Sequence, residues 1–344
     1  RYLDITESYD GTSWTELAQL TDEYAGQFGF GTQNDAMSAT GATEGHGVLT
    51  DSETWDGTSW TSAPVVNTAR IFGAASGTVS TAGLIFGGWY NPSPVLDVTE
   101  SFNGTAWTEV ADLNTARQYF GGSQQGSATA ALAFGGESPP TSAVTEKWDG
   151  TSWTEVNDLN TARTQMKGAG TSTSALSIGG SPFTVITEYY DGTSWTEVAD
   201  LATGVAPGGT TGTTSSAIST GGETPSKTNA TEEFTIGTSI AQEGQVWYNT
   251  TSTVLKGFGA QGTGAWASGG IMNSSRANLG TAGTSVSASL GIGGNPGAGD
   301  VDLVEEYDGS AWTELADINT ARSFLRGTGT STAALTTGGG PPVS

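Results

Sequence analysis

Short runs rich in Thr, Val, Trp and Tyr recur along the whole chain, each bounded by Gly, Pro, Asn or Asp. Runs of this kind with turn residues between them are strand signals. In one stretch "ARQYFGGSQQ", "TAALAFGG", "AVTEKWDG" and "SWTEVNDL" follow one another as four predicted strands. Asp-Gly between the third and fourth predicts a tight hairpin, because Gly tolerates positive φ. The small Ala and Gly residues of the first two strands suit a crowded centre. The Tyr or Trp of the third strand and the Trp of the fourth are large enough to fill a wedge between neighbouring units.

The same phrase is written again and again: "YDGTSWTEL" at Tyr9, "WDGTSWTSA" at Trp55, "FNGTAWTEV" at Phe102, "WDGTSWTEV" at Trp148, "YDGTSWTEV" at Tyr190 and "YDGSAWTEL" at Tyr307. Aligned on Trp14, Trp60, Trp107, Trp153, Trp195, Trp266 and Trp312, the steps are 46, 47, 46, 42, 71 and 46, so the long step is one repeat plus an insertion of about 25 residues. Gly pairs run in phase, from Gly87-Gly88 to Gly338-Gly339, and the first repeat degenerates to "MSATGATEG". Seven units with a period in the forties and four strands each predict an all-β, seven-bladed β-propeller. An apolar run, Gly-Gly, an aromatic and then Trp resembles a shortened kelch motif over nearly the whole chain; the WD40 pattern is absent. The chain opens in third and fourth strands and ends after first and second ones, which predicts closure by a two-plus-two clasp and one propeller over 1–344. Opening on Arg1 rather than Met, it reads as a portion of a longer product.

Alternating strand direction puts the second-to-third loops and the fourth-to-first connections on one face. Variation between repeats concentrates there, in "WYNPSPVLD", "ESPPTSA", "SPFTVI", "ETPSKTNA" and "NPGAGDVD", whereas "DGTS" on the other face barely changes. Variable loops on a rigid frame point to a functional surface. Arg70, Arg117, Arg163, Arg276 and Arg322 share one repeat position on that side. They suit a ring of guanidiniums around the channel mouth that grips carboxylates, sulfates or phosphates, and kelch propellers often bind through residues near the start of the first strand. They equally suit a structural role, with Asp112, Asp158 and Asp317 five residues ahead of their Arg as partners that tie blade to blade. Trp89 and Tyr90 follow a Gly pair in a Pro-rich loop, placed either to stack on a sugar or partner or to cover their own loop.

Composition narrows the chemistry. A formal charge of −24 repels phosphate backbones and anionic membrane surfaces, so neither nucleic acid nor membrane insertion is expected. There is no Cys, which removes disulfides, thiolate metal sites and a Cys nucleophile. His46 is the single histidine, so the copper site of galactose oxidase-type kelch enzymes is out of reach. "SYDGTSW" is one residue short of a sialidase Asp-box. Glu109, Glu155, Glu197 and Glu314 repeat identically, whereas glycoside hydrolysis needs one unlike pair. No EF-hand, P-loop or dinucleotide fingerprint is present. The expectation is a non-enzyme with no cofactor and no metal.

The insertion, 235–261, reads as a hairpin, "QVWYN" and "VLKGF", emerging between the third and fourth strands of one blade. "GQVWYNTTSTVLKGF" is similar to a short element of tail-fibre and other structural proteins of tailed bacteriophages, notably marine ones, which often pair it with "DGTSWTE" repeats. That resemblance implies a virion surface protein of tail-fibre or appendage type, with a host-surface glycan or protein on its variable face. Trp247 and Tyr248 of the insertion would then dock other virion structural proteins. A capsid or tail decoration that touches only virion subunits, and a secreted bacterial kelch-like adhesin, are the alternatives.

Overall fold

The computed structural model describes all residues except 1–2, 46, 91–94, 124, 207, 224–225, 236–245, 250–253, 258–264, 269, 286 and 341–344; of 246–249, 254–257 and 265–268 only the backbone is described. The described residues are all β and form seven four-stranded antiparallel sheets. From the inside outward, blade 1 is Phe28–Thr32, Asp35–Thr43, Gly47–Trp55 and Trp60–Ala63. Blade 2 is Ala74–Val79, Ala82–Trp89, Val95–Phe102 and Trp107–Glu109. Blade 3 is Gly121–Gly122, Ala131–Phe134, Thr145–Trp148 and Trp153–Val156. Blade 4 is Lys167–Thr171, Ser174–Ile178, Thr187–Tyr190 and Trp195–Glu197. Blade 5 is Gly209–Thr213, Ser216–Thr220, Thr231–Thr235 and Ala265–Ser268. Blade 6 is Gly280–Ser285, Ala288–Ile292, Val304–Tyr307 and Trp312–Glu314. Blade 7 draws on both ends of the chain: Arg326–Thr330 and Ala333–Thr337 lie inside, and Thr6–Tyr9 and Trp14–Glu16 outside. The innermost strands touch one another in cyclic order, blade 7 against blade 1 included, so the seven sheets form a β-propeller. Within the insertion, Val246–Asn249 pairs with Val254–Gly257 as a separate two-stranded sheet, and the chain then supplies the outer strand of blade 5.

Burial explains the strand sequences. Ala131–Phe134, a second strand, is buried at every residue because blades cover both its faces. The outer strand keeps only its Trp inside: Trp107, Trp195 and Trp312 are buried, and the Thr and Glu that follow each are exposed. The core is therefore a set of wedges between blades. Phe86 of blade 2 meets Trp153 of blade 3 with ring centroids 4.8 Å apart, and Phe134 of blade 3 meets Trp195 of blade 4 at 4.9 Å. Each such Trp also lies beside the aromatic across its own hairpin, as Tyr9 and Trp14 do at 5.1 Å.

In blades 1 to 4 the indole N–H groups fasten each blade to the one before. Trp60 donates to Thr6 Oγ1 (2.7 Å), Trp107 to Ser52 Oγ (3.2 Å), Trp153 to Thr99 Oγ1 (2.9 Å) and Trp195 to Thr145 Oγ1 (2.9 Å). Blade 6 has Val304 where these blades have Thr or Ser, and the Trp14 Nε1 that packs against it is buried without an acceptor among the described residues.

The hairpin between third and fourth strands is longer than the two-residue turn that Asp-Gly predicts. Tyr9 pairs with Trp14, so four residues, Asp10 to Ser13, make the loop. Asp10 Oδ1 accepts the N–H groups of Thr12 and Ser13, each at 2.9 Å, and Gly11 sits at φ 99°. The side-chain cap, not a primed turn, fixes the geometry.

Candidate functional site

The guanidinium ring expected at the channel mouth is not there. Arg70, Arg117, Arg163, Arg276 and Arg322 are all buried, at 0–1% exposure, so none is free to grip a ligand from solvent. The structural alternative holds in kind but with a different partner. Each Arg pairs with a Glu on the third strand of the blade it enters: Glu100 at 2.7 Å, Glu146, Glu188, Glu305 at 3.0 Å and Glu7 at 2.6 Å. Asp112, Asp158 and Asp317 instead accept the backbone N–H of Thr99, Thr145 and Val304.

The Glu is the hub of each blade entrance. Glu146 accepts from Asn114 N (2.6 Å), Asn114 Nδ2 (2.8 Å), Thr115 N (3.2 Å) and the Arg117 guanidinium. Glu100 and Glu188 repeat that set. A buried carboxylate is stable only when its lone pairs are filled, and this one is filled by the segment that carries the chain from blade to blade. Blades 1 and 5 have Tyr24 and Val205 in the Arg position, leaving Glu53 and Glu232 to backbone N–H donors of Thr21 and of Ala202 and Thr203. Burial raises both carboxyls above the ordinary range. Burial likewise pushes the Arg322 guanidinium down to about 10, against the upward pull of Glu7.

The Gly pairs complete the joint. Gly88 N donates to the carbonyl of Arg117, Gly136 N to that of Arg163 and Gly294 N to that of Arg322, so each pair holds the next blade's entrance. Gly135 sits at φ 65°, and a Cβ there would lie 2.9 Å from the Arg163 carbonyl oxygen. In the degenerate first repeat Thr40 takes the left-handed place at φ 54° and its hydroxyl donates to the Arg70 carbonyl.

What the loop face presents at its centre is a different ring, two residues past each Arg. Phe72, Tyr119, Gln165, Asn278 and Phe324 are half-buried and all lie at φ between 51° and 62°, a region that bulky side chains rarely adopt. Tyr119 N donates to Phe72 O, Gln165 N to Tyr119 O and Phe324 N to Asn278 O, so the left-handed turn links successive blades around the mouth. Phe72 stacks on Tyr119 at 4.5 Å and on Trp89 at 6.4 Å. Trp89 is thus partly engaged within its own face, whereas Tyr90 is 40% exposed, as is Phe183 in the corresponding loop of blade 4. A shallow cleft lined by Asp22, Glu23, Thr43, Glu44 and Leu49 opens beside blade 1.

Of the other candidates, the backbone of Trp247 and Tyr248 lies in the inserted hairpin and their side chains are outside the described residues, as is His46. Glu109, Glu155, Glu197 and Glu314 are exposed on the outer strands. Among the described residues no three His, Asp or Glu side chains gather as a metal site, and no helix is long and apolar enough to cross a membrane.

No protein-family model matches the chain, and no curated protein matches its sequence. Among solved structures it is similar to that of YjhT, with a TM-score of 0.59 and 13% identity over 87% of this chain and 99% of that one. At that identity the likeness speaks for the fold alone.

Proposed function

We propose that this propeller is a non-enzymatic binding module displayed on a phage particle, with a host-surface glycan or protein as its ligand. The observation that carries the reading is the inequality of the two faces. One repeats the same short hairpin, capped by Asp or in blade 2 by Asn103, in every blade but the fifth, where the insertion lies; the other carries loops of unlike sequence that expose Tyr90 and Phe183 around an aromatic mouth. Exposed aromatics on rigid supports bind sugars and proteins with little loss of side-chain freedom. The phage setting rests on the similarity of "GQVWYNTTSTVLKGF" and its companion repeats to tail-fibre sequences, and the inserted hairpin would face neighbouring virion subunits.

Labelled protein added to a panel of marine bacteria tests this. The reading expects saturable adsorption to some strains, weakened by Tyr90→Ala with Phe183→Ala. Adsorption to none, with a folded protein, would overturn it in favour of a decoration that meets only virion subunits.

A further inference from the structure

The acidic composition hides an interior of opposite sign. The innermost strands read FGFGT, AASGTV, GG, KGAGT, GTTGT, GTAGTS and RGTGT. They contain no acid and no histidine; their two ionisable side chains are Lys167 and Arg326. Both open their strand, and both pair with the residue just before a Gly pair, Ile178 and Thr337 respectively. They therefore stand at one level of the channel, on blades 4 and 7, three blades apart in a ring of seven.

Among the described residues neither has a carboxylate partner, whereas Arg70, Arg117, Arg163, Lys227, Arg276 and Arg322 each have one. Arg326 is solvent-exposed although it lies on an innermost strand, so the solvent it meets is that of the channel. The equivalent positions in the other blades are Phe28, Ala74, Gly121, Gly209 and Gly280, which supply no negative charge and, four times, almost no side chain. Two unneutralised cations at one level inside a chain of charge −24 call for an anion.

We propose that the central channel is an anion-binding site in which Lys167 and Arg326 hold a carboxylate or sulfate group from opposite sides. Entry is through the mouth formed by Phe72, Tyr119, Gln165, Asn278 and Phe324, which lie two residues before this level. The ammonium and guanidinium supply charge-assisted hydrogen bonds to the oxyanion. The aromatic and amide groups of the mouth suit the body of an acidic saccharide. The site is separate from host adsorption: it exists or not whether or not a cell surface is the natural ligand.

Lys167 gives the test its signature. Burial, and then the charge of Arg326, lower its ammonium to about 8. A bound anion opposes both effects, so binding near pH 8 takes up roughly half a proton. Calorimetric titration of the full chain with sodium sulfate and with glucuronate, in two buffers of different ionisation enthalpy and with glucose as neutral control, reads affinity and proton uptake together. The expected result is saturable binding of at least one anion and none of glucose. Lys167→Met and Arg326→Met each weaken it roughly tenfold or more. Lys147→Met, on the third strand of blade 3 and away from the channel, leaves it unchanged, and Lys167→Arg keeps the binding but loses the proton uptake. Absence of saturable anion binding by the folded wild type, or wild-type affinity in both Lys167→Met and Arg326→Met, would overturn the proposal. Both methionine variants remove an unpaired cation, so they should melt no lower than wild type, which separates lost binding from lost folding.

Discussion

Replacing Arg117 with methionine leaves the Glu146 carboxylate buried with its remaining donors, the Asn114 N–H and side-chain amide and the Thr115 N–H. Removing one member of a buried ion pair typically costs about 3–5 kcal/mol, because the survivor keeps its desolvation penalty. Two features place Arg117→Met toward the lower end of that range. Three donors still face Glu146, and Glu53 and Glu232 show that the same site persists in this molecule with backbone donors and no guanidinium. The expected loss is therefore about 3 kcal/mol. Glu146→Met should cost more than Arg117→Met, since it strands the guanidinium and also the N–H groups of the inter-blade segment. Guanidinium chloride unfolding followed by Trp fluorescence reads both, as every blade boundary described above carries a buried aromatic. Because Arg117 is fully buried, a ligand bound at the loop face should keep its affinity in the folded variant. Stability within about 0.5 kcal/mol of wild type, together with lost ligand binding, would refute the assignment and restore an accessible Arg ring.

Val304→Thr should stabilise the molecule by about 1 kcal/mol, since it offers the buried Trp14 N–H the acceptor that Thr or Ser supplies elsewhere; a raised denaturant midpoint checks it. Gly135→Ala should cost about 2 kcal/mol or more through its positive φ and its approach to the Arg163 carbonyl, whereas Gly45→Ala, with nothing within 4 Å, carries only the φ penalty. The pH profile follows from two opposed sets of carboxyls. Glu53 and Glu232 are raised by burial, so the folded state holds their protons more tightly; stability from them grows as pH falls through their folded pKa and levels off below the ordinary 4.5. Asp10 is lowered to about 2 by hydrogen bonds from the Ser13 and Thr12 backbone and the Thr12 hydroxyl, and Asp56, Asp149 and Asp308 are lowered by their own turns. Their contribution is present above the ordinary Asp value of 3.8 and is lost as pH falls through the lowered one. Melting temperature should thus be highest in mild acid, and Glu53→Gln with Glu232→Gln should flatten the rise from neutral pH; a steady decline from pH 7 to 5 would contradict it.

The blades were legible because the residues that make them recur in phase: the third-strand aromatic, the hairpin Asp and the fourth-strand Trp. The role of the Arg position was not, for a reason of distance along the chain. Asp112 lies five residues from Arg117, but its true partner Glu146 lies 29 residues on, in a strand that folding brings back over the entrance. A signal was present all the same. Glu7, Glu53, Glu100, Glu146, Glu188, Glu232 and Glu305 occupy one strand position in all seven blades, including the two without Arg. An acid at a position where its neighbours are buried asks for a donor set. The left-handed ring at the mouth left no such trace, because Phe, Tyr and Gln are not residues from which positive φ is read, and Asn278 is the one member of the ring that is. The channel cations were visible only once the innermost strands were known to share one lining.

On the proposed function the ligand meets the loop face and not the hairpin face. The absence of cysteine allows a single reactive thiol to be placed at will. Tyr90→Cys and Phe183→Cys mark the loop face, and Thr151→Cys marks the exposed hairpin of blade 3. Each would be coupled to a bulky maleimide and its adsorption to a host strain that takes up the wild type measured beside the unlabelled variant. The label should abolish adsorption at residues 90 and 183 and leave it intact at 151; blockage at 151 with free adsorption of the other two would refute a ligand on the loop face.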